Sequence, residues 1–161
     1  MEYKGRLVLP NKRNELSKTP MKSGHLRIQS KKYRWNSIRK IFNKYKKLFG
    51  NPDVKLVNKH EWIRITDEDI GDNVGMSNGF YKLVTVAPET LDGSEIQEVL
   101  VHELAHIIFP NKPHWWIECF AGKVARTRDG FLYYSSIYGH TKAELPSRNE
   151  LIEMAQTKVG R

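Results

Sequence analysis

Trp35, Ile38, Ile41, Phe42, Tyr45, Leu48 and Phe49 recur three or four residues apart, with lysines and arginines between them. Apolar side chains at that spacing line one face of a helix, so the pattern predicts an amphipathic helix ending at Gly50-Asn51-Pro52, with Ser30 or Asn36 able to cap its start. Two short runs of β-formers, VKLV (54–57) and EWIRI (61–65), flank Asn58-Lys59-His60 and predict a hairpin. The polar, glycine-containing stretch 66–79 predicts a loop, and the alternating run FYKLVTVAP (80–88) predicts the best-defined strand of the chain. Ser94 with Gln97 three residues on has the spacing of a capping box, and the apolar run from Ile96 to Phe109 predicts a buried helix stopped by Pro110. A helix over 114–128, a strand over 131–138 and a last short helix capped by Ser147 with Glu150 complete the prediction.

These elements predict an α+β fold: a small mixed sheet of about three to four strands, a backing helix and a buried active-site helix. With 161 residues the chain has room for one domain, placed at residues 31–161. Residues 1–30 mix Pro, Ser, Lys and Asn without sustained periodicity and predict a poorly ordered basic arm. Charge sharpens that division. Residues 1–50 hold 15 Lys and Arg against two acids, whereas residues 51–161 hold 12 against 16. The basic half implies an anionic partner, and the other face of the first helix supplies candidate contacts in Lys31, Lys32, Arg39, Lys40, Lys44 and Lys47. Tyr33, Trp35 and Tyr45 lie among them and would stack bases if exposed, although the periodicity turns Trp35 and Tyr45 toward the core. A single cysteine, Cys119, excludes an internal disulfide or a thiolate zinc cage and suits a buried small apolar role. The chain shows neither a signal core nor an apolar run of the ~18–20 residues a membrane span needs, so a soluble cytoplasmic protein is expected.

The candidate chemistry lies in the predicted buried helix, at His102-Glu103-Leu104-Ala105-His106. Residues four apart sit one above the other on a helix, so His102 and His106 can grip one Zn²⁺ from a single rigid rod. Glu103 lies about 100° round from His102, placed to take a proton from water without being a ligand. A helix apolar almost all round would bury these polar groups, and a metal gives them a partner.

The segment VTVAPETLDGSEIQEVLVHELAHIIFPNKPHWWIECF resembles the active-site stretch of the zincin metallopeptidases, especially the SprT-like and WLM-like branch and the minimal gluzincins. The resemblance implies a zincin-like fold, with an edge strand beside the active helix that can hold an extended peptide. It implies a zinc endopeptidase acting on protein or peptide substrates. The third ligand stays open: His114 after the turn matches the SprT-like pattern, Glu118 the gluzincin pattern, and Glu144 a loosely similar lethal-factor-type segment (136–144). Glu118, one turn beyond His114, also suits an orienting partner for a ligand imidazole. Tyr138 and His140, in a Tyr-Gly-His segment, are the candidate oxyanion donors. SprT-like families include DNA-dependent peptidases with basic segments, which agrees with the charge of the first half. Two other readings stand beside the peptidase: a nucleic-acid-binding or assembly module with a structural or vestigial zinc, and a zinc hydrolase of a non-peptide bond. Trp115 and Trp116 are expected in the core, and His25 and His60 on the surface.

Overall fold

A computed structural model of the chain describes residues 24–88, 93–127, 131–136 and 139–160, with the backbone path alone at 24–34, 93–94, 131–136 and 139–143. Helix α1 (Gly24–Leu48) starts before the predicted boundary and runs through both expected caps. Its apolar stripe behaves as its spacing requires: Ile38, Phe42, Tyr45 and the adjoining Phe49 are buried in the main core, with Trp35, Ile41 and Leu48 packed at its margin. It ends as predicted. Gly50, at φ +92°, and Asn51, at φ +60°, turn the chain back so that their amides bond to the Lys47 and Lys46 carbonyls.

The predicted hairpin over 54–65 is corrected. The first run forms only a two-residue strand, β1 (Lys55–Leu56), and the second is a helix, α2 (Lys59–Thr66). The reason is a cap. The Asn58 side chain accepts from the Glu61 amide at 2.9 Å, and Asp67 closes the far end in the left-handed region. Trp62 and Ile65, three apart, then turn toward a small second core with Ile70, Leu83 and Ala87.

The loop expected over 66–79 contains β2 (Gly75–Asn78), and the strand expected over 80–88 is shorter, β3 (Leu83–Val86). β3 is central. It pairs parallel with β1 and antiparallel with β2, giving the mixed order β1-β3-β2. β2 is composed of weak strand formers and depends on its long-range partner for its conformation, which local propensity does not reveal.

Helix α3 (Gly93–Ile108) crosses the middle of the molecule and packs on β2, β3 and α1. Gly93 is already helical, so Ser94 falls in the first turn instead of at the cap. Helix α4 (His114–Val124) packs on α3, and α5 (Arg148–Val159) closes the core against both. The Ser147–Glu150 capping box is present: the Ser147 hydroxyl accepts from the Glu150 amide at 3.1 Å, and the Glu150 carboxylate accepts from the Ser147 amide at 2.8 Å. A two-stranded antiparallel ribbon, β4 (Phe131–Ser136) with β5 (Gly139–Glu144), leaves α4. Among the described residues no helix is long and apolar enough to cross a membrane.

The two side-chain caps give a test. Asn58→Ala and Ser147→Ala should each lower the unfolding free energy by about 1 kcal/mol in urea denaturation. Loss of less than a few tenths for both would show that neither cap holds its helix.

Candidate metal centre

The α3–α4 turn builds the site. α3 stops at Ile108, the Phe109 amide still reaches the Ala105 carbonyl at 2.7 Å, and Pro113 starts α4 in an extended conformation. Aromatic packing fixes the angle between the two helices. Phe109 meets Trp116 and Phe120 edge-on, each at 5.3 Å between ring centres, and Phe49 of the α1 terminus lies 6.0 Å from Phe120. Trp116 is therefore in the core, as expected, with the Lys112 ammonium over its outer face. Trp115 packs at the margin of that core.

The packing brings His114 to the α3 histidines. One ring nitrogen from each of His102, His106 and His114 falls within a 4.8 Å span, and the ring centres are 4.7, 4.8 and 5.2 Å apart. The Nε2 atoms of His102 and His106 are 3.1 Å apart. Two nitrogens at ~2.0–2.1 Å from a tetrahedral zinc lie about 3.3–3.4 Å apart, so the α3 pair needs only a small adjustment to share an ion. Three imidazoles suit a borderline metal such as zinc and leave a tetrahedral position open. The protein thus has a potential trihistidine metal site.

Its electrostatics favour a neutral His106. Burial, reinforced by nearby His114, pushes the His106 imidazole down to about 4. Glu118, buried one turn along α4, places a carboxylate oxygen 3.1 Å from His114 Nε2. It lies outside the three-histidine group, where it can orient the His114 ring. Glu103 is buried on the side of α3 facing β2. Burial pushes its carboxyl up to about 7, against a smaller opposing effect from its hydrogen bond with the Ser77 side chain.

The remaining candidates separate. Glu144 is an exposed strand residue paired with Phe131, outside the three-histidine cluster. Tyr138 lies outside the described residues. The His140 backbone pairs with Ser135 in the ribbon, but its side chain, like those of Lys31, Lys32, Tyr33 and His25, is outside them. Arg39, Lys40, Lys44 and Lys47 are exposed along α1. Tyr45 is buried and donates to Gln97 at 3.0 Å, and Trp35 is half-buried beneath Arg39, so neither offers a free stacking face. His60 is exposed and Cys119 is buried, as expected. Sequence reasoning missed Ser77; a lone serine in a polar stretch carries no local signal of a partner in α3.

No family model, no curated protein and no solved structure matches the chain. The resemblance to the zincin metallopeptidases is corrected accordingly. The described residues that can hold a metal are three histidines without a carboxylate ligand, and no family model supports the assignment.

Buried Glu103 and half-buried His106 predict opposing pH effects in the metal-free protein. Glu103 has an ordinary value near 4.5 when unfolded and about 7 when folded, so its contribution to stability, full below pH 4.5, is lost as pH rises toward and through 7. His106 runs the other way: its folded value near 4 lies below its ordinary 6.5, so its penalty is greatest in acid and disappears as pH rises past 6.5. Glu103→Gln removes only the first effect. Between pH 5 and 8 the variant should gain about 2–3 kcal/mol relative to the parent in urea denaturation with chelator present. A pH-independent difference would contradict the buried-carboxyl account.

Proposed function

We propose that the protein is a zinc-dependent hydrolase that cleaves peptide bonds, an endopeptidase with Glu103 as general base. The observation that carries the reading is the meeting of His102, His106 and His114 at one point, with Glu103 beside His102 on the same buried helix. A purely structural ion needs no such carboxylate.

A zinc held by the three imidazoles would supply Lewis acidity toward a substrate carbonyl and toward water. Glu103 accepts the proton from the attacking water and returns it to the leaving amine. Its burial keeps the carboxyl from being levelled by solvent, and the rigid helix holds it at a fixed angle from the ligands. Glu118 orients the His114 ring from one turn along the same helix. Tyr138 and His140 remain the proposed oxyanion donors.

The test combines metal and turnover. The parent should bind one zinc and hydrolyse a fluorescently labelled unfolded protein. Glu103→Gln should retain that zinc and lose at least about 100-fold in kcat, in line with the loss of a general base. His114→Ala should lose both metal and turnover. Equal turnover by parent and Glu103→Gln, or parent protein inert when loaded, would overturn the reading.

A second reading concerns a partner. α1 contains no acidic residue, and its exposed Arg39, Lys40, Lys44 and Lys47 form a stripe about 12 Å long. Such a stripe suits the phosphates of nucleic acid, contacted without sequence readout, and the protein could act as a binding or assembly module through it. Affinity for a labelled DNA duplex should fall between about 10- and 100-fold from 50 to 200 mM salt. The Lys40→Glu, Lys44→Glu double variant should weaken it further. Salt-insensitive binding, or none by the parent, would contradict the partner.

A further inference from the structure

We propose that the edge strand β2 positions Glu103: Ser77 holds its carboxylate and Gly75 leaves the space in which that carboxylate sits. The catalytic part of this proposal rests on Glu103 being the general base; the clamp itself does not. Gly75 and Ser77 are two apart on β2 and share one face of the sheet. Val99 and Glu103 are one turn apart on α3 and meet that face. A Cβ added at Gly75 would lie 2.6 Å from Val99 Cγ1 and 3.3 Å from Glu103 Oε2, so a side chain there would force Val99 or Glu103 to shift. The absent side chain is what permits this close approach. Two residues along, on the same face of β2, Ser77 is set toward Glu103, where its hydroxyl can donate to the carboxylate.

Register makes the clamp specific. β3 is fully buried, and its pairing sets Gly75 opposite Val86 and Ser77 opposite Val84. The Ala87 amide extends the ladder by bonding to the Val74 carbonyl at 2.8 Å. A one-residue slip would turn Ser77 away from α3 and present Met76 or Asn78 instead. The same edge strand therefore lies against the Glu103 carboxylate along one side. A carboxylate without this anchor would rotate about its side chain and spend less time in a productive orientation. Ser77 and Gly75 are positioning residues here, distinct from the metal-binding imidazoles.

The experiment has two arms. In zinc-free protein, Ser77→Ala should reduce the folding equilibrium constant about five- to tenfold, but less than about twofold in a Glu103→Ala background. Equal costs in the two backgrounds would overturn the clamp. In zinc-loaded protein, Ser77→Ala and Gly75→Ala should keep metal stoichiometry. Their kcat on the labelled unfolded protein should fall at least about tenfold with KM within twofold, and Ser77→Thr should restore most of it. Should Gly75→Ala not fold, the serine series decides. Coupling in the first arm with unchanged kcat for Ser77→Ala would overturn its positioning role. An inert parent would remove the hydrolase reading and, with it, the catalytic part of this proposal, while the folding arm still decides the clamp.

Discussion

Three imidazoles drawn to one point by the α3–α4 turn set the terms for the rest of the structure. Rings whose nitrogens fall within a 4.8 Å span cannot all be protonated without strong mutual repulsion, and burial adds to the cost of charge. A bound cation would give their ring nitrogens a shared partner. The fold's aromatic packing makes the approach obligatory: with Phe109, Trp116 and Phe120 interlocked, His114 has little freedom to withdraw from the α3 pair.

The same central helix links this site to the sheet. One sector of α3 carries the metal-facing histidines, another packs against β2 and presents Glu103 to Ser77, and the core-facing sector meets α1 through Tyr45 and Gln97. Several polar side chains on this mainly apolar rod meet specific partners. Thr127 at the end of α4, for example, donates to buried Glu98 at 2.6 Å. This economy joins folding to the proposed chemistry: the contacts that hold α3 in place also orient its carboxylates and imidazoles.

Much of the site was legible because its information is local. The spacing of His102 and His106 is a property of a single helix, and His114 follows after a proline-bounded turn short enough to bring it back. The amphipathic stripe of α1 and the Ser147–Glu150 cap were similarly visible over a few residues. The errors fell where local signals competed or partners were distant. EWIRI contains good strand formers, yet Asn58 capping Glu61 makes it a helix. GMSN looks like loop, yet β3 recruits it as an edge strand. Ser77 acquires meaning only when that pairing sets it against Glu103. The family resemblance rested on a short motif, and the three-histidine ligand set does not bear it out.

X-ray absorption at the zinc edge of protein loaded with one equivalent tests the central claim most directly. The account predicts a first shell with three imidazole nitrogens at ~2.0–2.1 Å and one further light atom, with the imidazole scattering reduced in His114→Ala. Failure to retain zinc, or a first shell unchanged by that substitution, would contradict the trihistidine centre.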